Sequence, residues 1–100
     1  MKIKKEAKRI NKAKKRFLKW LDSEEIENIN IYTNYEDPDF DYYIGINAFS
    51  ERGGANSVYY NVYFSLYKGK ESIDYRDKSQ HYTDLSIFEF LQLITLKYRL

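Results

Sequence analysis

A chain of 100 residues is one domain by size, and it can bury about 65% of the surface its unfolded form exposes, which supports one modest core. It has no cysteine and a single histidine, His81, so disulfides, thiolate chemistry, cysteine-based zinc sites and histidine dyads or triads are excluded. The formal charge of +2 conceals a division: Met1 to Trp20 holds ten basic residues against the single acid Glu6, while Leu21 to Leu100 holds seven against fourteen acids. A segment of +9 joined to a body of −7 determines what its surfaces attract, not how it folds.

In the first segment the apolar residues Ile3, Ala7, Ile10, Ala13, Phe17, Trp20 and Leu21 recur at spacings of three and four. That is one stripe of an amphipathic helix over residues 1–21, with Lys and Arg covering the remaining faces. Charge throughout the segment excludes a secretory signal or membrane span, and a cytoplasmic location is expected. The pairs Lys4 with Lys8, Lys5 with Arg9, Lys8 with Lys12, Lys12 with Arg16 and Lys15 with Lys19 are like charges at i,i+4. Each costs about 0.2–0.5 kcal/mol, so the helix needs a partner for its stripe. A break at Leu21 and a capping box of Asp22 with Glu25 predict a short further turn.

From Asn28 to Tyr35 the pattern becomes alternation, with Ile29, Ile31 and Thr33 opposite Asn28, Asn30 and Tyr32, and predicts a half-buried strand. Glu36 to Asp41 is an acidic loop. A second strand follows, with Tyr42, Ile44, Ile46 and Ala48 inward and Tyr43, Gly45, Asn47 and Phe49 outward. Gly53, Gly54 and Asn56 supply a turn and no phosphate loop, because no helix follows them. In the third strand Val58, Tyr60, Val62, Phe64 and Leu66 alternate with Tyr59, Asn61, Tyr63, Ser65 and Tyr67. Lys68 to Lys70 reads as a tight hairpin into a fourth strand around Ser72 to Arg76. Lys78 to Tyr82 reads as a loop carrying His81. Thr83 or Asp84 can cap a last helix, with Ser86 and Glu89 as a second capping box one turn on. Its apolar residues leave only a narrow polar stripe, so burial on more than one side is expected, by the sheet and by the first helix or a second protomer.

The expected fold is therefore a single α+β domain: a basic N-terminal helix over 1–21, a four-stranded antiparallel meander over 28–77, and a C-terminal helix over 83–99 packed on one sheet face.

Two surfaces could bind. Lys4, Lys5, Lys8, Arg9, Lys12, Lys15, Arg16 and Lys19 could neutralise phosphates, could lie on a membrane surface, or could form a solvated face. The outer sheet face offers Tyr32, Tyr43, Phe49, Tyr59, Tyr63 and Tyr67 among Asn and Ser side chains, with Tyr43, Tyr59, Tyr63 and Tyr67 as the candidate contacts, a composition common to protein interfaces, to base-stacking platforms and to cross-strand ladders. Beside it Glu36, Asp37, Asp39 and Asp41 could present carboxylates that imitate a phosphate backbone to a basic cleft. Asp37, Asp39 and Asp41 have the acid spacing that opens a calcium loop, but Tyr42 and Ala48 stand where glycine and the bidentate glutamate belong. No metal, cofactor or catalytic residue is expected, since His81 has neither a nucleophile nor an orienting group at a telling spacing.

The order helix, antiparallel meander, helix, together with Ile94-Thr95-Leu96-Lys97 in the last helix, resembles small bacteriophage inhibitors of host defence, anti-CRISPR proteins among them. That resemblance implies inhibition of a protein partner and carries no functional residue across. The element order is also similar to double-stranded-RNA-binding domains, but Asp84, Leu85 and Ser86 stand where those have a lysine-rich helix start. The expected function is non-enzymatic binding of a protein through the acidic, Tyr-rich side; the alternative is nucleic-acid binding through the basic helix.

Overall fold

The computed structural model describes residues 5–33, 42–51 and 57–99. The element order is α1 (Lys5–Ser23), β1 (Asn28–Thr33), β2 (Tyr42–Ser50), β3 (Val58–Tyr67), β4 (Lys70–Asp77), β5 (His81–Leu85) and α2 (Ile87–Arg99). The strands form one antiparallel sheet in the order β1-β2-β3-β4-β5, a simple meander. The fold is α+β, with five strands where four were expected.

The extra strand is β5. Residues read from sequence as a loop and a helix start continue the sheet, because Asp77 turns the chain at the end of β4. Its Oδ1 accepts from the backbone N–H groups of Ser79 and Gln80, both at 2.8 Å, and its Oδ2 accepts from the Tyr75 hydroxyl at 2.5 Å. His81 is thus a strand residue opposite Arg76, and the helix start moves from residue 83 to Ile87. Ser86 and Glu89 form the capping box there: Ser86 Oγ accepts from the Glu89 N–H, and Glu89 Oε1 accepts from the Ser86 N–H.

The helix α1 does not break at Leu21, and Asp22 with Glu25 caps no new turn. Instead the chain leaves the helix through a Schellman motif with Glu25 in the left-handed region at φ 57°. The Ile26 N–H reaches back to the Leu21 carbonyl and the Glu25 N–H to the Asp22 carbonyl. Ile26 and Leu21, the motif's apolar pair, are both buried. The Ser50 hydroxyl then accepts from the Glu27 N–H at 2.7 Å and anchors the entry to β1.

One core joins both helices to the sheet. Ile10, Ala13, Phe17, Trp20 and Leu21 of α1, with Phe90 and Ile94 of α2, are buried in the same cluster as Ile44, Ile46, Val62, Phe64, Leu66, Ile73 and Tyr75. Aromatic contacts knit it together: Phe17 meets Trp20 and Phe90, Trp20 meets Tyr60 at 4.9 Å, and Phe64 meets Phe90 at 5.3 Å. Tyr42 donates to Asn11 Oδ1 at 2.9 Å, and Arg9 pairs with Glu71 at 3.0 Å, so α1 is also tied to β2 and β4 through polar side chains.

Two burial expectations are corrected. The strand β1 is exposed along both faces, with Ile29 37% and Ile31 47% accessible, because it is the edge strand and the helices' ring contacts with the sheet fall on β3. The helix α2 is less covered than its composition implied, since Phe88 is 70% exposed.

Candidate binding surfaces

Cross-strand register assembles the outer sheet face into rows. Tyr32, Gly45, Tyr63 and Asp74 lie in one row, and Asn30, Asn47, Asn61 and Arg76 in the next. Phe49 pairs with Tyr59, and Tyr43 with Ser65. The missing side chain at Gly45 leaves room for the Tyr32 ring, which covers it. Tyr43 completes the group, 6.5 Å from Tyr32 and stacked on Tyr63 at 6.2 Å.

Asn47 links this cluster by hydrogen bonds. Its Oδ1 accepts from the Tyr63 hydroxyl at 3.3 Å, and its amide donates to the Tyr32 hydroxyl at 3.4 Å. Burial, reinforced by the neighbouring Tyr32 and Tyr63 hydroxyls, pushes the Tyr43 phenol up to about 12. The Tyr63 phenol is raised as well, chiefly by hydrogen bonding with Tyr32 and then by burial. Both remain neutral donors at physiological pH.

Around this packed centre the accessible aromatics are Tyr32 at 42%, Phe49 at 43% and Tyr67 at 45%. Tyr43, Tyr59 and Tyr63 are half-buried. The four tyrosines singled out from sequence therefore share a face but divide in environment: Tyr43 and Tyr63 pack together, Tyr59 lies beside Phe49, and Tyr67 ends β3 in the open. Sequence alternation found this face; Tyr32 and Phe49, its other accessible rings, were visible in the same alternation. The acids Glu36, Asp37, Asp39 and Asp41 lie outside the described residues, as do Lys4 and the Gly53-Gly54 turn.

On the opposite side, Lys5 begins α1, and Lys8, Arg9, Lys12, Lys15, Arg16 and Lys19 are exposed along it. Arg9 is held by Glu71. Between α1 and α2 runs a groove, seen as two adjoining cavities of about 320 and 510 Å³ that share Arg16 and Leu91. Sequence reasoning missed this groove because each of its walls is an unremarkable helix face alone. Trp20 lines its far end, and its buried Nε1–H has no hydrogen-bond acceptor among the described residues.

Among the described residues no group of acids and His81 could hold a metal ion, and no helix is long and apolar enough to cross a membrane. No protein-family model matches the chain, and comparison with curated proteins and with solved structures returned no significant similarity.

Proposed function

We propose that this chain is a non-enzymatic binding protein that engages a protein partner through the outer face of its sheet. The observation that carries this reading is the location of Tyr32, Phe49 and Tyr67: three large rings over 40% accessible on the face that neither helix contacts, interleaved with Asn and Ser. Rigid Tyr side chains offer large contact area at low entropic cost, and Asn and Ser adapt their hydrogen bonds, which is the composition of protein-recognising surfaces. The Tyr32–Tyr43–Tyr63–Asn47 network pre-orders the centre of the face, so little freedom remains to be lost on binding.

Nucleic-acid binding through Lys8, Arg9, Lys12, Lys15, Arg16 and Lys19 draws less support. Single-strand recognition combines cations with stacking rings in one groove, and here the cations flank Ile87 and Leu91, while Tyr32, Phe49 and Tyr67 are on the other side of the sheet. An inhibitory, anti-CRISPR-like role in the cytoplasm extends the protein-binding proposal and depends on the identity of the partner.

The test is a photo-crosslinking residue placed at Phe49, at Tyr67 and, as a control on an exposed helix position, at Phe88. A discrete protein adduct from the two sheet positions and none from Phe88 is expected. Adducts from Phe88 alone, or from none of the three, would overturn the proposal.

A further inference from the structure

The groove between α1 and α2 has two chemically distinct walls. Arg9, Lys12, Arg16 and Lys19 line one side at spacings of three and four, a single helical row about 15 Å long. Ile87, Leu91 and Ile94 line the other at the same helical spacing. Among the described residues, Lys12, Arg16 and Lys19 are exposed and make no ion pair, and no acidic side chain lines either cavity.

We propose that this groove docks an acidic amphipathic helix of a partner protein. A helix carrying carboxylates at i, i+4 and i+7 matches Lys12, Arg16 and Lys19 tooth for tooth, and its adjoining apolar row covers Leu91 and Ile87 as a third helix would. Other anionic occupants fit less of the surface. A fatty acid has one charged head for a row of cations. A single nucleic-acid strand has the repeated charge, but its bases seek open stacking rings, and the wall facing the cations is Ile87, Leu91 and Ile94, with Trp20 only 4% exposed. The site is separate from the outer sheet face, so its fate and that of the sheet-face proposal are independent.

Trp20 is the only tryptophan and lines the groove, so its fluorescence reports occupancy there. The probe is a synthetic, tryptophan-free peptide of about four turns with Glu and Leu in adjacent helical rows. Its controls are the same composition scrambled, the same peptide with Lys for Glu, and a single-stranded oligonucleotide. At physiological salt the amphipathic acidic peptide should shift Trp20 emission saturably, and should bind at least about tenfold tighter than the scrambled peptide.

Lys12→Glu with Arg16→Glu changes exposed positions only and should lower that affinity at least about tenfold while thermal stability holds. Leu91→Glu should do the same from the other wall; Leu91→Ala, which introduces no charge, serves if that variant fails to fold. Equal binding of the designed and scrambled peptides, undiminished binding by the double charge reversal, or a response to the oligonucleotide in place of the peptide overturns the proposal.

Discussion

The ring of Tyr32, on the edge strand, occupies the space above Gly45 of β2: a Cβ on Gly45 would stand 2.5 Å from Tyr32 Cε2 and 2.6 Å from Cζ. The glycine is needed there for its absent side chain, and the ring in turn shields a backbone that a bare glycine would leave open. A cluster of three tyrosines thus depends on one hydrogen atom.

Gly45→Ala should expel the Tyr32 ring and break its contacts with Tyr43 and Asn47, at a cost of about 1 kcal/mol from the lost cross-strand packing. Because the two residues share one space, Tyr32→Ala should cost less in the Gly45→Ala background than in the wild type. Urea unfolding of the single and double variants measures the difference, and additive effects would show that ring and glycine are uncoupled.

Phe17 is fully buried and touches both Trp20 and Phe90, so it joins α1 to α2 within the core shared with the sheet. Phe17→Ala should cost about 3–5 kcal/mol, a large part of the stability of a domain this size. Phe88→Ala, on the open side of α2, should cost under about 0.5 kcal/mol. Thermal and urea unfolding of both variants tests the contrast, and comparable losses would contradict the packing.

Glu25 holds a left-handed conformation that costs a side-chain-bearing residue about 1–2 kcal/mol, and glycine returns part of that gain as unfolded-state entropy. Glu25→Gly should therefore raise stability by about 0.5–1 kcal/mol. A lowered unfolding midpoint would mean that the Glu25 side chain contributes more than its backbone strain costs.

The raised Tyr43 phenol links stability to alkaline pH. Its folded value of about 12 exceeds the ordinary 10, so between these values the folded chain holds a proton that the unfolded chain has released. Its contribution is complete below pH 10 and is lost as pH rises towards 12. Tyr75, raised by burial and by its hydrogen bond to Asp77, adds to the same downward slope above pH 10. Tyr43→Phe should flatten the fall in urea stability across this window, and an unaltered slope would show that the Tyr43 phenol titrates normally.

The periodicities of the chain were legible wherever one face is buried and the other wet. The stripe of Ile10, Ala13, Phe17, Trp20 and Leu21 announced α1, and the alternation from Val58 to Tyr67 announced β3 and both of its faces, because each local pattern answers to a single boundary between core and water. The Ser86–Glu89 capping box was equally local, since its bonds span three residues. β5 was hidden because its short, exposed stretch is stabilised by pairing with β4 and by the carboxylate of Asp77, neither of which its own residues reveal.

The same division holds for the surfaces. Charge and alternation alone determined that this chain has a cationic helix and an aromatic strand face, because both are properties of one element. Only the tertiary structure decided that these lie on opposite sides of the sheet, that Gly45 seats Tyr32, and that the cation row meets the aliphatic edge of α2. Each of those facts is a distance between residues far apart in the chain, set by how the core is covered.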